Sequence, residues 1–323
     1  MIHNLVEKVK GKGSRIVFTE GSDARVLEAT IRLFQEGILH PVLLGNKEEI
    51  EAKAKSLGWS VEGMEIIDPM KYEDFDAMVS KMVELRRGKM DEEACRKALY
   101  QTNYFGTMYV KMGGADGLLG GATYSTADTV RPALQLIKTK PENNIVSSCF
   151  ILLREKESLV MADCSININP NVDELVEITL QTAQTVRQFG IEPRVGLLSY
   201  STYGSGKGES VTKVNEAAQR LKRMQLDFHV DGELQFDTAI SKEVAKLKAP
   251  DSPVAGNVNT FVFPNIDAGN IGYKIAARLG NFEAIGPILQ GLNAPINDLS
   301  RGCTADEVYK MAIVTAAQMF MEI

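Results

Sequence analysis

The sequence predicts an α/β protein whose strands form mainly parallel sheets. Short apolar or β-branched runs alternate with stretches of helical periodicity, and this alternation is typical of βαβ units. The chain has 323 residues. A single hydrophobic core rarely supports a chain of this length, so two domains are expected. The pattern restarts after the turn-rich segment 139–144, which separates two groups of elements.

The elements before residue 144 follow from apolar runs and periodicity. Residues 15–18 and 42–44 are predicted to be strands, whereas 24–34 keeps a 3.6-residue period that indicates a helix. The other predictions for this part are a strand at 117–119 and helices at 48–55, 74–86, 91–100 and 126–137.

The elements after residue 144 are assigned in the same way. A long helix is predicted at 172–189, where charged residues recur on one side of the helical period. The other predictions are strands at 145–148, 158–161, 195–199 and 260–263, a helix at 210–224, and a last helix with Val308, Met311, Ala312, Thr315 and Met319 on one face.

The composition is that of an ordinary globular protein. Hydrophobic residues make up 44% of the chain and charged residues 24%, and the formal net charge is −6. This charge argues against a large nucleic-acid surface, so any phosphate site must be local. The four cysteines lack C-x-x-C spacing, and neither a signal peptide nor a membrane-spanning apolar run is visible. We therefore expect a reducing, cytoplasmic setting without membrane attachment.

A polar loop near the C-terminus has the side chains of a phosphate site. Within residues 293–304, Ser300 lies beside Arg301 and a helix follows. The arginine fork matches phosphate oxygens, the serine can donate to another oxygen, and a helix start offers free N–H groups. A turn with a solvated charge is the alternative for so short a motif.

Four long segments occur in a characteristic order along the chain, at 120–132, 199–208, 263–270 and 293–304. In these segments the chain resembles the phosphate acetyltransferase (phosphotransacetylase) family, and the resemblance covers nearly the whole chain. It implies two three-layer α/β/α domains with mainly parallel sheets, a fold like that of isocitrate and isopropylmalate dehydrogenases, with a cleft between the domains. The first domain is expected to combine 1–143 with 292–323, and the second to be 144–291. A homodimer is also implied.

The reaction implied by this resemblance is the reversible transfer of an acetyl group between phosphate and the thiol of coenzyme A. Coenzyme A, acetyl phosphate and phosphate are then the substrates, and neither a permanently bound cofactor nor a metal is expected. We expect direct attack by the thiolate in a ternary complex, with Ser300 stabilising the oxyanion and Arg301 the phosphate leaving group. Acylation of Ser300 is disfavoured, because serine needs an activating base and His3, His40 and His229 are better explained as core or surface residues.

Two acidic residues are candidates for the base that removes the thiol proton. A carboxylate is a weak base for a thiol with a pKa of about 8.5, unless it is desolvated or a cation such as Arg301 stabilises the thiolate. The family has an aspartate seven positions beyond the motif serine; Glu307 occupies that position here, and Asp306 is the fallback. Glu307 also completes a capping box with Thr304, so the roles of base and helix cap both stay open.

Two arginines are expected to bind substrate. The resemblance implies this role for Arg131, for which an ion pair with Asp128, three residues earlier, is the alternative. Arg86 resembles a second such arginine of the family. Because Arg87 lies next to it, either of the two could align with the family's arginine.

A glycine-rich loop follows the strand at 195–199 and precedes a helix, so its backbone can approach an anion closely. Its spacing matches neither common nucleotide-binding motif, and a flexible turn is the alternative. The loop residues expected to bind phosphate or coenzyme A are Ser199, Ser201, Tyr203, Gly204, Ser205, Gly206 and Lys207. Asn265 is added because it follows another strand of the second domain, with a helix-capping role as its alternative.

Other functions and sites are weaker predictions. A phosphate butyryltransferase differs only in the acyl pocket, and a non-catalytic coenzyme-sensing module is disfavoured by the Ser300–Arg301 pair. An NAD-dependent decarboxylating dehydrogenase lacks support, since no dinucleotide glycine pattern is present. Cys303 is disfavoured as a nucleophile, and the polar residues at 163–169 indicate a turn rather than a metal site.

Overall fold

The computed structural model describes residues 1–320, and the chain divides into two compact units. Among these residues, unit 1 is Met1–Glu142 together with residues 292–320, and unit 2 is Asn143–Gly291. Each unit contains one sheet of mostly parallel strands with flanking helices, so the predicted α/β fold class is confirmed. In the part of the chain that is described, no helix is both long and apolar enough to cross a bilayer.

The first stretch of unit 1 alternates strands and helices, as predicted. Its strands are β1 (Arg15–Phe18), β2 (His40–Leu44), β3 (Glu65–Ile67) and β4 (Gly117–Gly120). Its helices are α1 (Ile2–Val9), α2 (Ala24–Gln35), α3 (Lys47–Ser56), α4 (Phe75–Arg86), α5 (Glu92–Leu99), α6 (Thr102–Lys111) and α7 (Thr126–Pro132), with a 3₁₀ turn at Pro69–Lys71.

Unit 2 follows with six strands and five helices among the described residues. The strands are β5 (Ser147–Arg154), β6 (Glu157–Ala162), β7 (Arg194–Leu198), β8 (His229–Leu234), β9 (Thr260–Val262) and β10 (Glu283–Gln290). The helices are α8 (Val172–Gln188), α9 (Glu209–Arg223), α10 (Phe236–Ile240), α11 (Lys242–Lys248) and α12 (Ile266–Leu279). The chain then returns to unit 1 with β11 (Ile296–Asp298) and α13 (Ala305–Ala317).

The sheet of unit 1 has the strand order β11-β4-β1-β2-β3, and every pair is parallel. The carboxyl ends of parallel strands meet at one edge of a sheet, which is where α/β proteins present ligands. The loops after β1, β4 and β11 are therefore neighbours. A backbone hydrogen bond of 2.7 Å from Leu299 N to Gly120 O ties two of them together.

The sheet of unit 2 has the order β10-β5-β6-β9-β7-β8. Its first two pairings are antiparallel, and those among β6, β9, β7 and β8 are parallel. The glycine-rich loop lies at the carboxyl end of β7. The segment that leads into α12 lies at the carboxyl end of β9.

Three predicted elements differ from the structure. The last predicted helix extends too far, because α13 ends at Ala317 and Met319 lies in the turn after it. The helix predicted at 126–137 is α7 followed by a π-helical turn at Ala133–Ile137. The change falls at Pro132, which has no N–H to donate and so interrupts the regular α-helical ladder. The strand predicted at 145–148 begins at Ser147 and runs on to Arg154, where it pairs with two antiparallel neighbours.

Candidate active site

Ser300 and Arg301 lie in an exposed loop at the carboxyl end of β11. The Ser300 hydroxyl accepts a hydrogen bond of 3.3 Å from Gly302 N, and its backbone carbonyl accepts one from Cys303 N. The guanidinium of Arg301 has no hydrogen-bond or ion-pair partner within residues 1–320. A guanidinium carries five N–H donors in a planar fork that matches phosphate oxygens, so this free group is available to an anionic ligand.

Arg25 fixes the path of this loop, a role that the sequence analysis missed. From the first turn of α2, its Nη1 donates to Arg301 O at 2.8 Å and to Cys303 O at 3.1 Å. Its Nη2 donates to Ala122 O at 2.9 Å, in the loop after β4, and an ion pair with Asp23 orients the guanidinium. One side chain thus joins the loops after β1, β4 and β11.

Glu20 holds the loop after β4 from the other side. Its Oε1 accepts hydrogen bonds from Gly121 N at 3.0 Å and Thr123 N at 3.1 Å, and its Oε2 accepts one from Thr19. Burial raises the pKa of this carboxyl above its usual value. A buried acid in this position could not be predicted from sequence, because its partners are about a hundred residues away.

Glu307 is a helix cap. Its Oε2 accepts a hydrogen bond of 2.7 Å from Thr304 N, and its own N–H donates to Thr304 Oγ1 at 3.2 Å. The predicted capping box is therefore confirmed. The other carboxylate oxygen, Oε1, has no hydrogen-bond partner among the residues that the structure describes, so capping leaves one oxygen for a second role.

Asp306 lies on another side of α13. Its carboxylate is held by Lys310 at 2.6 Å and by Arg32 at 3.4 Å. The hydrogen bond from Lys310 is the main cause that lowers the pKa of Asp306, which makes it a weaker base. Of the two acidic candidates, Glu307 is the less restrained.

Arg131 is exposed and makes no ion pair with Asp128 in the described part of the chain. Asp128 instead accepts from the backbone and hydroxyl of Ser125, in the capping box that begins α7. The alternative of a local salt bridge for Arg131 is therefore wrong. Its guanidinium stays without a protein acceptor within residues 1–320.

Arg86 and Arg131 both lie near Tyr104. Burial raises the pKa of the Tyr104 phenol, and the charges of the two arginines oppose that rise. The phenol donates to Gln135 at 3.1 Å, and the buried Nε of Arg86 has no partner. Two guanidinium groups that each act on Tyr104, and neither of which forms an ion pair within residues 1–320, form a setting suited to a phosphate.

The glycine-rich loop of unit 2 is organised by Glu233, which is fully buried. Its Oε1 accepts from Ser201 Oγ at 2.9 Å and Gly204 N at 2.7 Å, and its Oε2 from Asn215 Nδ2 at 2.8 Å. Burial alone would raise the pKa of Glu233, but these donors lower it below its usual value. The loop is anchored, so it is not the flexible turn considered as the alternative.

The other residues of this loop have distinct surroundings. The phenol of Tyr203 donates to Asp231, which also pairs with Lys222, and Tyr200 OH donates to Lys207 O at 2.7 Å. Ser205 Oγ accepts from Thr202 N, Gly206 N donates to Ser201 Oγ, and Ser199 Oγ accepts from Ser201 N. The Lys207 amine is exposed and has no partner in the described chain.

Asn265 caps α12, accepting a hydrogen bond of 3.0 Å from Ala268 N, so the capping interpretation is confirmed.

The Asp163 carboxylate accepts hydrogen bonds from the backbone N–H groups of Ser165, Ile166 and Asn167, and these bonds form the turn predicted at 163–169. Within residues 1–320, no group of three or more His, Cys, Asp or Glu is arranged to hold a metal. Burial raises the pKa of the Cys303 thiol to about 11, so it is a poor nucleophile at neutral pH.

Comparison with known proteins supports the reaction class. The profile described as phosphate acetyl/butaryl transferase matches residues 1–316. A phosphate acetyltransferase of Bacillus subtilis is 54% identical over 312 residues, which are 97% of each chain. The crystal structure of a phosphotransacetylase from Streptococcus pyogenes has a TM-score of 0.95 at 53% identity and covers 99% of this chain and 98% of its own.

A more distant structural likeness bears on the fold alone. A Salmonella typhimurium protein named for 4-hydroxythreonine-4-phosphate dehydrogenase superposes with a TM-score of 0.57 at 11% identity, covering 95% of this chain and 99% of its own. A dehydrogenase-like fold is what the resemblance to the phosphotransacetylase family implies.

Proposed function

Because this chain belongs to the phosphate acetyl/butaryl transferase family it is an acyltransferase, a phosphate acetyltransferase, and we propose that coenzyme A thiolate attacks acetyl phosphate directly in a ternary complex. A bond forms between sulfur and the carbonyl carbon, and the bond from that carbon to the phosphate oxygen breaks. The electron pair leaves with phosphate. The single observation that carries this mechanism is the exposed, unpaired Arg301 beside Ser300, in a loop that Arg25 holds in place.

Ser300 and Arg301 stabilise the charge that develops during this attack. The serine hydroxyl donates to the carbonyl oxygen as it becomes an oxyanion, and the arginine fork binds the departing phosphate. The bonds from Arg25 to the backbone of the loop fix both donors before reaction, which reduces the reorganisation that the transition state requires.

Glu307 is proposed as the base that removes the thiol proton. Its free Oε1 supports this role, while the ion pairs of Asp306 make that residue the fallback. The positive charge of Arg301 lowers the free energy needed to form a thiolate close to it. Helix capping and base catalysis use different oxygens of Glu307, so the two roles are compatible.

Two further regions are proposed to bind the phosphate groups of the substrates, coenzyme A among them. In unit 1 these are Arg86 and Arg131, supported by their unpaired guanidinium groups near Tyr104. In unit 2 it is the glycine-rich loop from Ser199 to Lys207, supported by its anchoring to Glu233 and by the free Lys207 amine. Asn265 contributes the least support, because its side-chain oxygen already caps α12.

A turnover assay tests the proposed function and its alternatives. Purified protein, acetyl phosphate and coenzyme A are expected to yield thioester, followed by its absorbance, with a higher kcat/KM for acetyl than for propionyl or butyryl phosphate. A preference for butyryl phosphate would make the chain a butyryltransferase. Binding of coenzyme A without turnover of any acyl phosphate would make it a sensing module.

A homodimer is proposed from an apolar stripe on α12 in unit 2. Ile271, Ile275 and Leu279 recur every four residues on this helix and are 57%, 53% and 81% exposed. Exposure of such a stripe to water is unfavourable, and we propose that a second copy of the chain covers it.

The four cysteines are buried free thiols, which supports the proposed cytoplasmic setting.

Charge placed in this stripe is expected to separate the subunits. Light scattering on the wild type should give the mass of a dimer, and Ile275→Asp should give that of a monomer, because a carboxylate would be buried without a partner. Gln219→Asp, which adds the same charge to an exposed position of α9, is the control and should leave the dimer intact. A monomeric wild type would contradict the proposal.

A further inference from the structure

Asp298 is a buried carboxylate that joins two parts of unit 1. It is the last residue of β11 and is 1% exposed. Its Oδ2 accepts a hydrogen bond of 2.6 Å from Thr126, and its Oδ1 accepts one of 2.6 Å from Thr129. The two threonines are three positions apart, so they lie on the same face of α7.

This arrangement is costly in free energy, and the loop after β4 accommodates it with a glycine. No lysine, arginine or histidine pairs with Asp298 in the described residues, and burial of a carboxylate without a cation is unfavourable. A side chain at Gly121 is excluded, since its Cβ would lie 2.3 Å from Asp298 Oδ1. An apolar residue would fill the same space at a lower cost, so packing alone does not account for an acid here.

The two elements that Asp298 joins carry the proposed substrate-binding and catalytic side chains. Ser300 and Arg301 follow Asp298 by two and three residues, and Arg131 lies on α7 two residues after Thr129. We propose that Asp298 is a positioning residue, which sets the place of Arg131 relative to Ser300 and Arg301 by binding the hydroxyls of Thr126 and Thr129. This inference rests on the proposed function, because it needs Arg131 to bind substrate.

The surroundings of Asp298 are consistent with that role. Burial is the main cause that raises its pKa to about 6, and the charge of Glu20, from the loop after β1, adds to the rise. Tyr124, from the loop after β4, is another titratable group near Asp298. At about pH 8 the carboxylate is ionised and accepts from both threonines, so assays at that pH examine the intact arrangement.

Conservative threonine variants test the proposal without removing the buried acid. Thr126→Val keeps the side-chain shape and removes the hydroxyl, whereas Thr126→Ser keeps the hydroxyl and is the matched control. Arg131→Ala identifies the substrate that Arg131 binds, because the KM of that substrate rises. Thr126→Val is expected to raise the KM of the same substrate by about tenfold and to change kcat by less than about twofold. Thr126→Ser should restore the wild-type KM.

A double-mutant cycle separates positioning from a merely structural role. If Asp298 acts through Arg131, Thr126→Val should add less than about twofold to the KM of Arg131→Ala. A full tenfold addition in that background, or a loss of thermal stability with no change in KM, would overturn the positioning role. An Arg131→Ala variant with wild-type KM values would instead overturn the proposed role of Arg131, and the inference with it.

Discussion

Replacement of Ser300 by alanine, or of Arg301 by glutamine, is expected to lower kcat by about a hundredfold or more, as removal of a transition-state donor does in other acyl transfers. Each change removes a donor that acts on charge formed only during reaction. The dissociation constant of coenzyme A should therefore change little. Steady-state kinetics with acetyl phosphate and calorimetry with coenzyme A give the two quantities.

Arg301→Lys is the matched control for this prediction. Lysine keeps the charge but loses the planar fork, so its kcat should lie between those of the wild type and Arg301→Gln. Neither residue packs in the core, and all three variants should keep the wild-type melting temperature. Affinity for coenzyme A that falls as much as kcat would mean that these residues only anchor substrate.

Glu307→Gln is expected to lower kcat by at least about a hundredfold while leaving thermal stability unchanged. Glutamine can still accept from Thr304 N, so the capping box is kept and only the proton acceptor is lost. The rate at saturating substrate and the melting temperature are measured on the same preparation. A wild-type rate in Glu307→Gln would mean that Glu307 serves only as a cap.

Two other variants isolate the roles of the neighbouring residues. Asp306→Asn should change kcat by less than about twofold, because its carboxylate is already held by Lys310 and Arg32. Thr304→Ala removes the cap from the other side and should lower stability by about 1 kcal/mol without abolishing turnover. A large loss of rate in Asp306→Asn alone would transfer the base to Asp306.

Local patterns in the sequence predicted much of the fold. The alternation of apolar runs and helical periods located β1, β2 and β4 in unit 1 and β5, β6, β7 and β9 in unit 2, but it missed β3, β10 and β11. A strand of three residues is too short to show a periodic pattern of apolar residues, and β11 forms only because it pairs with β4. The capping box of α13 was predictable because all its partners lie within four residues.

The residues that hold the site together were not predictable in this way. Arg25 contacts the loop at Arg301, and Glu20 contacts the loop at Gly121, across separations of 276 and 101 residues. Glu233 anchors the glycine-rich loop from another strand. Each looks like an ordinary charged residue in sequence, and only the parallel pairing of distant strands brings these loops together.

In the proposed reaction sulfur attacks acetyl phosphate directly, and Ser300 is a donor and not a nucleophile. Exchange of isotopically labelled phosphate into acetyl phosphate, measured with and without coenzyme A, tests it. We expect exchange only when coenzyme A is present, because phosphate cannot leave before the thiolate attacks. Exchange at a comparable rate without coenzyme A would reveal an acetyl-enzyme and rule out direct attack.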